Sequence, residues 1–394
     1  MLKFIEKLSP INKINHFNLN NSYVFNIASN SIGKNIEIQY IRCIAISFVI
    51  ISHISAIFPA DIHFENVANR IFFLYSGVDI FFVISGYLMG EIFLKRNKEA
   101  QSSYEMTIST VNFYKKRFLR LMPTSIFWIT VLLFTCIYLH DHEVFGSSRD
   151  MFWKWCMSII PLRNFETVYS SNSLQWYWSL STESQFYIFL PLAWFSVPRQ
   201  MFWYFCFILM CLFLFFDHTD WFRFPGLFVG LFSYKLLSNN EIKQAISENT
   251  KRINNKFSSI WVVAILLIAT APLCAFHENY HKEYGNIPFI VGYISIYSVS
   301  FIIISLSALC IEFIYIPEKL KKLVFIYSEI SYSLYLCHLV VFFIFRHIIK
   351  VYGLIFPESV YIILSIFISF ILSLFSYIFI ERKFYQARDT IRTP

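Results

Sequence analysis

Ile41 to Ser55 reads IRCIAISFVIISHIS. An apolar run of this kind predicts a helix, and two residues in it do not belong in lipid: Arg42 and His53. They are eleven residues apart, so both project from one helix face, ~16 Å apart along the axis. Ionisable groups inside a bilayer are costly and persist where they face a cavity, a partner or a substrate path. The rest of the chain is read as a chamber built around that face.

The 394 residues are 57% hydrophobic and only 15% charged, with mean hydropathy +0.54. Soluble domains carry about 25% charge. Apolar runs of about 20 residues recur, continuous rather than alternating, which fits helices in a bilayer and not a barrel. The net charge of +8 does not point to nucleic acid, because the basic residues fall between the runs, where the positive-inside rule accounts for them. The eight cysteines show no C-x-x-C spacing and lie mostly in apolar runs, so neither a disulfide framework nor a metal site is expected.

The fold class is therefore all-α: a polytopic membrane helix bundle with about ten transmembrane helices. They are expected near 38–59, 71–94, 121–139, 177–197, 201–216, 221–238, 259–276, 287–314, 326–349 and 359–380. Residues 1–35 are polar and Asn-rich and read as a loosely ordered cytoplasmic tail without a signal peptide. Residues 36–385 form the membrane domain, and 386–394 a second cytoplasmic tail. With the N-terminus inside, Lys and Arg crowd the inner segments and acids outnumber them in the outer ones, which predicts an N-in, C-in orientation.

That orientation turns positions into depths. Arg42 falls near the inner surface and His53 near the outer one. The fourth span runs inward from QWYWSLSTESQFY (175–187), placing Glu183 about two turns below the outer surface, at a depth similar to His53. A carboxylate beside a histidine fixes its tautomer and stabilises the imidazolium, so such a histidine can deprotonate a hydroxyl nucleophile; a structural hydrogen bond is the plainer alternative. Arg117 and Arg120, with Lys115 and Lys116, cluster at the inner start of the third span, level with Arg42. Forked guanidinium groups suit phosphates, though a positive-inside anchor or a lipid headgroup contact explains the same cluster. Asp79 on the second span is expected to pair with a nearby Arg or His. Arg223 enters from the outer side, and His338, near mid-membrane, reads as structural or pocket-lining.

Together these stretches resemble one family, the integral-membrane acyltransferase-3 family, which includes bacterial O-acetyltransferases of surface polysaccharides. The resemblance runs from about Glu37 to Tyr385. Arg42 and His53 match its Arg and His with ten residues between them, GVDIFFVISGYL (77–88) its second-helix signature, and 113–123 its basic stretch ending in Arg-x-x-Pro. WSLSTESQFY (178–187) looks like its Trp-Ser-Leu-Ser-x-Glu-Glu-Gln-Phe-Tyr, and ISYSLYLCH (330–338) like its late-helix motif. Ser184 replaces the second acid of the fourth-span motif, and Glu381-Arg382-Lys383 stands where the family commonly has Glu-x-Pro.

The resemblance implies an O-acyltransferase, with acyl-CoA (acetyl-CoA by family default) approaching from the cytoplasm. Arg42, Arg117 and Arg120 would hold its phosphates. The thioester would reach up toward His53 as general base, with Glu183 orienting it, and a hydroxyl of a surface or lipid-linked glycan, as in lipopolysaccharide, would enter from outside. It also implies a bacterial inner membrane, and the short stretch after the last expected span predicts a stand-alone member without an appended hydrolase-like domain. A transporter or flippase of a glycan or lipid carrier is the competing reading. It explains the spans and buried charges, but does not require both an outer histidine and an inner cationic cluster.

Overall fold

The computed structural model describes residues 35–57, 74, 76–100, 102–165, 177–216, 223–254, 287–308 and 317–389. The polar N-terminal tail and the expected span at 259–276 lie outside them. The described residues are helical, with no strand among them. Among the described residues, four helices are long and apolar enough to cross a bilayer, which makes this a multi-pass membrane protein.

Helix α1 (Ile36–Ser52) starts at Asn35, whose side chain accepts from the Glu37 and Ile38 amides. It ends one residue short of His53, which caps it and leads into a single 3-10 turn, Ile54–Ala56. Helix α2 (Ser76–Met89) continues through a wide π turn (Gly90–Leu94) into α3 (Lys95–Glu99). Helix α4 (Ser103–Leu139) is capped by Ser102, which accepts from the Glu105 amide, and runs 37 residues straight through Pro123. At 1.5 Å per residue it is ~55 Å long, nearly twice a hydrocarbon core of ~30 Å. The span expected at 121–139 is thus only its apolar half.

Short helices α5 (His142–Phe145) and α6 (Ser148–Ile159) follow, then α7 (Trp178–Ser196), α8 (Phe202–Phe216), α9 (Phe224–Leu237), the polar α10 (Asn240–Asn254) and α11 (Ile287–Ala308). The run expected as one span at 326–349 is divided. Helix α12 (Glu318–Glu329) stops at Ile330, and α13 (Ser331–Tyr352) begins on the next residue. Helix α14 (Glu358–Ser376) passes through a second π turn (Tyr377–Glu381) into α15 (Arg382–Asp389), so Glu381-Arg382-Lys383 continues the helix instead of ending it.

Small residues set the closest approaches. Helices α2 and α9 meet backbone to backbone: a Cβ on Gly86 would lie 2.0 Å from the Leu227 carbonyl oxygen, and one on Gly230 2.0 Å from that of Val83. Such contacts replace the hydrophobic drive that lipid withholds from helix pairing. Ser365, Ser369, Ser373 and Ser376 form a buried stripe along α14, where Cys337 of α13 donates to the Ser369 carbonyl (3.3 Å). Trp128 Nε1 donates to Ser376 Oγ (3.1 Å), tying α4 to the same seam.

Two polar clusters fix the segment after α4. Asp141 caps α5 and accepts from Lys350 Nζ (2.8 Å) and His347 Nδ1 (2.7 Å) of α13. Burial raises the Asp141 carboxyl, but the Lys350 and His347 hydrogen bonds outweigh it and hold it at about 2. A depressed carboxyl stabilises the fold above its unfolded value of ~3.9, and that contribution is lost as pH falls through the folded value. Asp141→Asn is expected to lower thermal stability at pH 7 by on the order of 1 kcal/mol or less, as for a partly solvated ion pair. The gap from wild type should close below pH 4 in detergent melting curves; a pH-independent gap would contradict the clamp. The second cluster joins residues 160–165 to α7. Asn164 and Gln185 exchange amide hydrogen bonds (2.9 and 2.8 Å), Gln185 also donates to the Pro161 carbonyl (2.8 Å), and the Arg163 amide donates to Ser181 Oγ (3.1 Å).

Candidate active site

A cleft enclosing about 670 Å³, part of it open to solvent, lies among α1, α2, α4, α7 and α13. Its polar lining is Arg42, Ser85, Arg120, Ser179, Glu183 and a row of Ser331, Tyr332 and Tyr335; Phe81, Leu88, Leu121 and Leu180 supply apolar wall. Two cations and a carboxylate from helices far apart in sequence therefore face one space.

The Arg42 guanidinium donates to Gln39 Oε1 (3.3 Å) and Ser331 Oγ (3.4 Å), and Gln39 is itself fixed by Ser328 Oγ (2.5 Å). Arg120 makes no hydrogen bond or ion pair with a described residue, although Glu183 and Glu381 lie within electrostatic range. Arg117 is buried instead, its guanidinium 5.6 Å from the Phe113 ring centre and 5.0 Å from that of Tyr187. Ser85 Oγ and Tyr187 OH both donate to Glu183 Oε1, leaving Oε2 without a partner among the described residues.

Farther along α13 the cleft wall passes into a histidine pair. Ser179 Oγ and Tyr335 OH share a hydrogen bond (2.6 Å), and the Tyr335 ring lies 6.0 Å from that of His338. His338 is fully buried, and its Nε2 stands 3.4 Å from His53 Nδ1. Ser331 sits beside Arg42, and His338 follows seven residues later, so the pair lies ~10 Å from the Arg42 end.

The structure brings together Arg42, Arg120 and Glu183 in the cleft, and His53 with His338 beyond it. It does not join His53 to Glu183. Glu183 is held by α2 at Ser85, toward the Arg42 end, while the partner of His53 is a histidine of α13. Asp79 and Arg223 pair away from the cleft: Arg223 Nη1 lies 3.0 Å from Asp79 Oδ2, Tyr297 OH donates to Oδ1 (3.1 Å), and the guanidinium rests between the Trp178 and Tyr293 rings. A buried charge pair so fully partnered acts as a brace.

In the sequence, Ser331 and Tyr335 stand only within a motif, and Ser85, Tyr187 and Glu381 read as a packing residue, part of an aromatic belt and a helix-end departure, without the contacts they make at the site. Tyr187 stands four residues after Glu183, and Ser331, Tyr335 and His338 recur at helical spacing, so both relations were present as periodicity. Glu381, buried and bonded to Ser333 Oγ (2.6 Å) and Tyr385 OH (2.5 Å), shows the same four-residue spacing to its tyrosine.

The acyltransferase-3 family model, described as an acyltransferase domain, matches residues 35–378. The chain belongs to the acyltransferase-3 family. Among named relatives of this family member, the peptidoglycan O-acetyltransferase OatA of Listeria monocytogenes is 29% identical over 139 residues, 32% of this chain and 22% of that protein. The O-acetyltransferase OatA of Staphylococcus aureus is 29% identical over 127 residues, 30% and 20% of the two chains. Nose resistant to fluoxetine protein 6 of Caenorhabditis elegans is 29% identical over 150 residues, 34% and 17%. The matches thus cover about a fifth of each relative's length. No solved structure matches the chain. Among the described residues, no group of three or more His, Cys, Asp or Glu side chains is arranged to hold a metal ion.

Proposed function

We propose that the chain is a membrane O-acyltransferase, moving an acetyl group from cytoplasmic acetyl-CoA to a hydroxyl of a surface or lipid-linked glycan. The observation that carries the reading is the cleft itself, lined by Arg42, Arg120 and Glu183, with the histidine pair behind its wall residue Tyr335. Arg42 and Arg120 would take the CoA phosphates, and Arg117 would add positive field at the same end. The pantetheine arm would lie along the apolar wall and bring the thioester toward His53. His53 Nε2 would remove the proton of the acceptor hydroxyl as its oxygen attacks the thioester carbonyl. The C–S bond then breaks, and the thiolate leaves with that proton. Glu183, anchored through Oε1, would present Oε2 to the donor or acceptor in the cleft. Asp79 and Arg223 would support the chamber.

The ten-span, N-in, C-in arrangement and a bacterial inner-membrane location belong to the same proposal. The span count and orientation are supported by the charge asymmetry of the segments, and a bacterial membrane by the bacterial source of the OatA relatives. The test is the O-acetyl content of surface polysaccharide, by mass and proton NMR, with and without the gene. Gene-dependent acetylation is expected. Unchanged acetylation with failed glycan export would replace the proposal by the transporter reading. In membranes, Arg120→Ala is expected to raise KM for acetyl-CoA about tenfold or more, the value of one charge-assisted hydrogen bond, with a smaller change in kcat. An unchanged KM would remove Arg120 from donor binding.

A further inference from the structure

We propose that His338 is the positioning residue for His53, fixing which ring nitrogen faces the substrate; this rests on the reading of His53 as the base. The hydrogen bonds assign the protons. His338 Nδ1 lies 3.0 Å from the Leu334 carbonyl oxygen, and His53 Nδ1 lies 2.7 Å from that of Val49. A carbonyl only accepts, so each Nδ1 carries a hydrogen. His338 Nε2 is then a bare lone pair, and it meets His53 Nδ1–H at 3.4 Å. With both rings neutral, the single His53 Nδ1 hydrogen is shared between the Val49 carbonyl oxygen, the nearer acceptor at 2.7 Å, and His338 Nε2.

The consequence falls on His53 Nε2. With Nδ1 committed to Val49 and His338, Nε2 is the basic nitrogen. A proton taken there makes an imidazolium whose Nδ1–H already points at an acceptor. A proton on His338 Nε2 would instead set two N–H groups against each other. His338 therefore performs what a carboxylate does in the familiar acid–histidine pair, without placing a charge in the membrane. The neighbours of His338 reinforce the geometry: the Phe342 ring packs edge-on at 5.7 Å, and Tyr335 lies at 6.0 Å on the cleft side.

The test uses the full-length protein in lipid nanodiscs, as wild type, His53→Ala, His338→Gln and His338→Phe. Glutamine places an amide oxygen near the position of Nε2 and accepts from His53; phenylalanine fills the space and cannot. His338→Phe is expected to lower kcat on the order of 10–100-fold with KM for acetyl-CoA unchanged, and His338→Gln to recover most of it. A folded His338→Phe protein with wild-type kcat, or a glutamine variant no better than phenylalanine, overturns the proposal. Ring-15N histidine NMR reads the pair without turnover. An Nδ1–H signal lost in His53→Ala and shifted in His338→Phe supports the pairing; an unshifted signal overturns it. Wild-type protein that shows the shift but transfers no acetyl group keeps the pairing and discards the acyl-transfer reading.

Discussion

His53→Ala leaves the protein in the membrane and removes acyl transfer, with an expected loss on the order of 10²–10⁴-fold in kcat, the worth of a positioned general base. His53 sits at the C-cap of α1, where the helix gives way to a single 3-10 turn, and its ring lies 5.3 Å from that of His338. Truncation there leaves the helix backbone in place and takes away the ring nitrogen proposed to accept the proton. His53→Asn sharpens the result, because its amide can still donate to the Val49 carbonyl while lacking a base. Both variants should accumulate at wild-type level and leave the glycan unacetylated. Normal acetylation by either would sink the assignment of His53, and the family membership would stand untouched.

Gly230→Ala gives the second large effect, and its readout is the protein itself. The added methyl would lie 2.0 Å from the Val83 carbonyl oxygen and 2.7 Å from the Tyr87 amide nitrogen. These are backbone atoms of α2, so no side-chain rotation relieves the clash. Overpacked cores typically lose about 1–3 kcal/mol when side chains can adjust; here a whole helix must shift, and the loss is expected at or above that range. Gly86→Ala meets the reciprocal obstacle in the Leu227 carbonyl. Both variants should fall sharply in membrane yield and lose the monodisperse peak in fluorescence-detected size exclusion. Wild-type yield and melting temperature for Gly230→Ala would mean that α2 and α9 do not cross this closely.

The membrane character, most helix positions and the expectation that Asp79 pairs with a cation were legible in the sequence; the other pairings were not. Hydropathy locates an apolar run but not a polar extension of the same helix, which is why α4 reaches back to Ser103 unannounced. The signal was nonetheless there in Ser102-x-x-Glu105, a capping-box pattern three turns before the basic stretch. The break at Ile330 is invisible to the same method because apolar residues continue on both sides of it. Depth arithmetic set Glu183 level with His53, yet an error of one turn in each span moves a side chain by ~5 Å along the membrane normal. So residue type singles out Arg42, His53 and Glu183, while the partners Ser85, Tyr187 and His338 came from packing.

Helix α7 faces two ways at once. Glu183 turns into the cleft, and Gln185, two residues on and about 200° around the helix, grips the segment at 160–165 through Asn164 and Pro161. Whatever lands on that segment therefore pushes on the same rod that carries the cleft carboxylate. Substitutions at Asn164 or Gln185 would retune acceptor choice from a distance, and exchanging 160–165 between relatives offers a handle on selectivity that leaves every cleft side chain in place.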